Sequence, residues 1–143
     1  ALKIGPGALT WAAISAGSTN KTPSNSPLLL NNSGNVAITN GNIQANATNL
    51  RGETNSTYGL WASNFSIHWA TGSNAECAGT QLNRSIYMNV TGANLTIGNY
   101  TINTGDDGQE QLYVCLRYAG SELITQSYST ANETETAWTV KIV

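Results

Sequence analysis

This 143-residue chain predicts an all-β sandwich with a detached strand at its N-terminus, and three observations carry that expectation. Short runs rich in β-branched and aromatic residues recur along residues 36–143, each bounded by Gly, Asn, Asp or Ser. No stretch shows a sustained 3.6-residue apolar period, so no helix of useful length is expected. Ahead of the body, residues 17–27 (Gly-Ser-Thr-Asn-Lys-Thr-Pro-Ser-Asn-Ser-Pro) hold no apolar side chain except two prolines, and they separate an apolar piece, residues 1–16, from the rest.

The candidate strands are residues 36–39, 58–62, 65–70, 85–90, 95–97, 100–102, 111–118, 122–127 and 137–143. In 111–118, Leu112, Val114, Leu116 and Tyr118 alternate with Tyr113, Cys115 and Arg117, the period-2 pattern of a strand with one buried face. In the last segment Trp138, Val140 and Ile142 share a face. Tyr113-Val114-Cys115 resembles the Tyr-x-Cys of an immunoglobulin F strand. The spacing from Cys77 to Cys115 is short for the inter-sheet bridge of those domains, and no Trp lies between the two. Immunoglobulin-like therefore describes the architecture expected here, a β-sandwich, and not a family.

At this length the chain is most simply one domain able to bury a core. Only 10% of its residues are charged, against roughly 25% in ordinary soluble proteins. The net charge of −2 offers no basic stripe for nucleic acid and no polybasic membrane patch. No apolar run reaches the ~18 residues of a membrane-spanning helix. Eight acidic groups leave little for acid to disrupt, because acid denaturation works largely by protonating paired carboxylates. This fits an acidic habitat.

Ten Asn-x-Ser/Thr sequons stand at Asn20, Asn31, Asn46, Asn55, Asn64, Asn83, Asn89, Asn94, Asn99 and Asn132. With 31 hydroxyl residues in the chain, chance places Ser or Thr two positions after about four of the 18 Asn. Each sequon is an acceptor for a bulky, solvated glycan and marks a surface position in an exported protein. Glycosylation is the expectation; sheer abundance of Asn and Thr on a polar β-surface is the alternative. The chain opens on Ala1 with no charged and apolar leader, which reads as a mature exported chain whose signal peptide has been removed. Two cysteines in an exported chain make one Cys77–Cys115 disulfide the default, closing a loop of 38 residues. A metal site would need more Cys and His, and His68 is the sole histidine.

No catalytic constellation is present: one His, no Gly-x-Ser-x-Gly, no phosphate-binding glycine loop. Asp106, Asp107 and Glu110 echo part of a calcium loop without its ligand set, and Gly-Asp-Asp-Gly between strands is ordinary hairpin chemistry. No metal or other cofactor is expected beyond covalent N-glycans. Trp11, Trp61, Trp69 and Trp138 could stack on sugars, but core packing or subunit contacts is the simpler reading.

A short exported β-sandwich, low in charge, dense in sequons and carrying a detached apolar N-terminal segment, resembles the subunits of archaeal donor-strand filaments, the threads of thermoacidophilic archaea and related bundling pili. The likeness spans the whole chain in architecture and composition and rests on no short motif. It implies that residues 1–16 are a donor strand, 17–27 a polar linker and 28–143 the acceptor sandwich. It also implies an extracellular, non-enzymatic appendage: a head-to-tail homopolymer of identical subunits for adhesion to surfaces or other cells, bundling or biofilm. Leu2, Ile4, Leu9, Trp11 and Ile14 would be the pocket-filling anchors. The competing expectation is a monomeric cell-surface or carbohydrate-binding module in which residues 1–16 form its own first strand.

Overall fold

The structure, a computed structural model, describes residues 2–69, 75–95, 108–134 and 137–143. These form an all-β, sandwich-like fold of antiparallel sheets. The strands are β1 (Leu2–Gly5), β2 (Thr19–Lys21), β3 (Leu28–Asn32), β4 (Ile43–Asn46), β5 (Leu50–Gly52), β6 (Gly59–Leu60), β7 (Phe65–His68), β8 (Thr80–Gln81), β9 (Met88–Asn89), β10 (Gln109–Tyr118), β11 (Tyr128–Ser129) and β12 (Thr139–Ile142). The largest sheet runs β1-β3-β10-β7-β8, with β2 also on β10. Two smaller sheets run β12-β4-β9 and β11-β5-β6. The helical turns among the described residues are two short 3-10 pieces, Ala62–Asn64 and Ala75–Ala78. No helix among those residues is long and apolar enough to cross a membrane.

β10 is the axis of the fold. Its first four residues pair with β3, Leu112 opposite Leu28, and its next four pair with β7, Leu116 opposite Phe65. The alternation read from the sequence buries Leu112, Val114 and Leu116. Tyr118, expected on the same face, is instead 45% exposed, because β10 outruns β7 there and meets only the short β2. Cys115 is buried by its bridge to Cys77, which pins the Ala75–Ala78 turn onto β10. Ser66 reinforces that attachment by donating its hydroxyl to the Glu76 carbonyl at 2.6 Å.

One core joins the sheets. The large sheet contributes Leu30, Phe65 and Ile67 beside the β10 leucines, and the β12-β4-β9 sheet contributes Ile43 and Ala45. Trp138 and Val140 pack against this core, while Ile142 points more outward at 37% exposure.

Several expected strands shrink or move. Residues 36–39 make only a bridge from Ile38 to Leu95, and 85–90 reduce to β9 plus a bridge at Ile86. Residues 122–127 form no strand. The Gln126 side chain there accepts the Thr54 and Asn55 amides at 3.0 and 2.8 Å, so side-chain bonds replace a ladder, and the strand begins at Tyr128. The expected strand 100–102 and most of 95–97 lie outside the described residues, as do Asp106 and Asp107.

Candidate functional site: the seat of the N-terminal segment

In the single chain, residues 2–14 are docked on their own domain and not detached. β1 adds to the edge of β3 in antiparallel register, Leu2 opposite Asn32 and Gly5 opposite Leu29. Of the expected anchors, Leu2, Leu9, Trp11 and Ile14 pack against the core. Ile4 departs from that expectation and is 47% exposed. Ile4 lies on the same face of the four-residue edge strand as Leu2, but the core covers that face only at Leu2, and Gly5-Pro6-Gly7 breaks the strand directly after Ile4.

Trp11 is the centre of the seat. Its ring sits edge-on to Phe65 at 5.5 Å and to Trp138 at 6.5 Å, and those two rings meet at 4.9 Å. Edge-to-face clusters of this spacing add to the burial of their area. The Trp11 indole N–H donates to the Lys21 carbonyl at 3.1 Å, and that of Trp138 to the Thr48 carbonyl at 2.9 Å. Both polar handles of the cluster are therefore satisfied.

The polar stretch 17–27 is not a free tether in this chain. β2 pairs with β10, Lys21 opposite Leu116. Pro23 is buried. Four steps along β10, from Leu116 to Leu112, correspond to seven along the N-terminal run, from Lys21 to Leu28. Three extra residues therefore bulge out between β2 and β3. The bulge straps the N-terminal segment. Asn25 accepts the Thr10 amide at 2.9 Å and donates to the Ala8 carbonyl at 2.7 Å, while the Ser24 amide and hydroxyl both donate to the Thr10 carbonyl. Extended backbone with no strand beside it must find such partners. The polar side chains are the device that holds residues 8–10, and a hydropathy pattern does not register them.

Among the described residues, the sequon asparagines other than Asn46 are exposed or half-buried. Asn20, Asn55, Asn89 and Asn132 are exposed, and Asn20 adopts a left-handed backbone with φ 53°. Asn31, Asn64, Asn83 and Asn94 are half-buried, with carboxamides bonded respectively to Gln109, Tyr118, Met88 and Gly92. Asn46 is buried at 5% exposure, and its Oδ1 accepts the Thr139 amide at 2.9 Å inside the β4–β12 pair. Asn99 lies outside the described residues. A sugar would attach to the Nδ2 of this same carboxamide, which at 5% exposure has no room for it unless the packing around the β4–β12 pair opens. Glycopeptide mapping is expected to find Asn46 unmodified; a fully occupied Asn46 would contradict the placement of β12.

Trp61 and Trp69 remain exposed at 40% and 45%. Arg51 lies over the Trp61 ring, 4.6 Å from its centre. Arg51 also donates to Glu133 at 2.8 Å, and Arg84 reaches the other carboxylate oxygen at 3.1 Å. Burial opposes the charge on Glu133, but these two cations and a hydrogen bond from Asn49 outweigh it and hold the carboxyl below the usual range. Glu110 goes the other way. Burial pushes its carboxyl up, only partly offset by the backbone amides of Asn94 and Gln111.

The two groups respond to acid with opposite signs. The stabilisation from Glu133 is complete above its unfolded pKa, ordinarily about 4.3, and disappears as pH falls through its lower folded value. Glu110 binds its proton more readily in the folded chain, so acid favours the fold through that group. Glu133→Gln is expected to cost about 1–3 kcal/mol near neutrality, a cost that shrinks as pH falls through the lowered folded value of Glu133. Thermal melts of both proteins across that range check this; a gap that does not narrow in acid would contradict it.

Among the described residues no group of His, Cys, Asp and Glu could hold a metal ion. Compared with protein-family models, curated proteins and solved structures, the chain matches none.

Proposed function

We propose that this chain is the structural, non-enzymatic subunit of an extracellular, N-glycosylated filament assembled head-to-tail, in which residues 1–16 of one subunit complete the sandwich of the next. The observation that carries the reading is the seat itself. It is an edge on β3 that takes an added strand, followed by an aromatic socket filled by Trp11. Strand addition satisfies the unpaired backbone groups of an edge, while side chains entering pockets give specificity. Donor and acceptor are different surfaces, so the contact is heterologous and grows a filament unless it closes on itself. Low charge and ten sequons fit an exterior solvated by sugar.

The competing reading is a monomeric surface or carbohydrate-binding module. It is favoured by the docking of residues 2–14 on their own domain and by the exposed rings of Trp61 and Trp69. Sedimentation of the native, glycosylated protein separates the two. A broad, concentration-dependent distribution with fibres visible by negative-stain microscopy is expected; a single monomeric species at all concentrations would favour the module.

A further inference from the structure

The N-terminal segment joins its own domain through one short turn. At residues 15–18 the chain reverses, with the Ser18 amide bonded to the Ser15 carbonyl at 3.1 Å. Gly17 takes φ +78°, and its amide donates to the Ala119 carbonyl at 2.8 Å. A Cβ on Gly17 would meet only Ser121 Cβ, at 4.0 Å. The turn therefore depends on a left-handed backbone that favours glycine, and not on close packing around it.

Everything before the turn touches the body by contacts independent of that connection. These are the β1–β3 ladder, the strap bonds to residues 8–10, and Trp11 against Phe65 and Trp138. Residues 2–14 of a second copy would make each of them equally well. Everything after the turn belongs to the receiving body, beginning with β2 on β10.

We infer that residues 15–18 are the hinge of subunit exchange, that β3 is the receiving edge, and that the exchanged segment keeps the register seen here, Leu2 opposite Asn32 with Trp11 in the Phe65–Trp138 socket. The inference rests on the donor-strand reading and adds to it a hinge, an edge and a register. The closed chain and the assembled chain then contain the same contacts and differ in the turn. Straightened, the four residues span roughly 13 Å, at about 3.3 Å each, and carry the segment toward a neighbour. Opening requires the ladder to separate and Trp11 to withdraw, so the closed subunit persists as a separate species until a neighbour captures its segment.

Two variants of the full-length chain test this. Lys3 stands opposite Asn31, so a K3C/N31C pair can be oxidised across the ladder. N31C also removes a sequon, and N31Q is the control for that. Filaments of K3C/N31C, oxidised and then denatured without reductant, are expected to run as a covalent ladder, with the 3–31 bridge between chains. Filaments whose bridges all lie within single chains would overturn the inference and leave the filament reading standing. Reciprocally bridged closed dimers would support exchange and overturn the head-to-tail filament. Protein that stays monomeric would overturn both. In G17V the tight turn is disfavoured while extended backbone is not, and the exchanged-to-closed ratio is expected to rise about tenfold. An unchanged ratio would overturn the hinge.

Discussion

Removing the Cys77–Cys115 bridge by C77A/C115A is expected to lower unfolding free energy by about 4 kcal/mol, the chain-entropy value for a loop of 38 residues. That is a large share of the 5–15 kcal/mol typical of a domain. The bridge ties the Ala75–Ala78 turn to the middle of β10, where Tyr113–Leu116 already pair with β7. The ladder and the Ser66–Glu76 hydrogen bond hold the same geometry without it. The variant should therefore keep its β-type circular dichroism and lose heat resistance. Denaturant titration gives the free energy. A loss under about 1 kcal/mol would mean that the reduced, unfolded chain is already constrained.

W11A is the second large effect, at about 3 kcal/mol. Large-to-small substitution of a buried aromatic costs about 3–5 kcal/mol, and Trp11 is only half-buried, which places it at the low end. The substitution empties the socket over Phe65 and Trp138 and removes the bond to the Lys21 carbonyl. W11F keeps an edge-on ring and loses the bond, so it should fall between. W69A is the control, because Trp69 is exposed and surface substitutions are usually within about 0.5 kcal/mol. In the exchange account W11A also prevents assembly, since the same ring fills the neighbour's socket. If W11A costs no more than W69A, the aromatic cluster is not the seat's centre.

The strands that sequence reasoning finds are those that carry their own pattern. β10 alternates, β7 opens on the chain's only Phe, and β12 is rich in β-branched residues. β3 and β4 escape because Leu28-Leu29-Leu30 does not alternate and Asn is a poor strand former, and β5 because its three residues, Leu50-Arg51-Gly52, are too few to show a pattern and end on Gly. In this chain buried Asn side chains act as backbone substitutes. Asn32 donates to the Val36 carbonyl and accepts the Gly34 amide, and Asn49 accepts the Ala62 amide. A count of sequons treats every such Asn as surface, whereas Asn46 is buried. The docking site is half legible. Apolar spacing marks Leu2, Leu9, Trp11 and Ile14, but nothing in composition announces that Ser24 and Asn25 hold them, because hydrogen bonds and not burial bind that strap.

The central claim is that one subunit's N-terminal segment completes the next subunit's sandwich. A cryo-electron microscopy reconstruction of native fibres, at a resolution that follows the chain through residues 1–28, tests it most directly. The account predicts that density from β2 runs back through an opened 15–18 turn into the adjacent subunit, laying residues 2–5 along that neighbour's β3 and Trp11 in its socket. Density that turns back at Gly17 and docks residues 2–14 on the same subunit would contradict it.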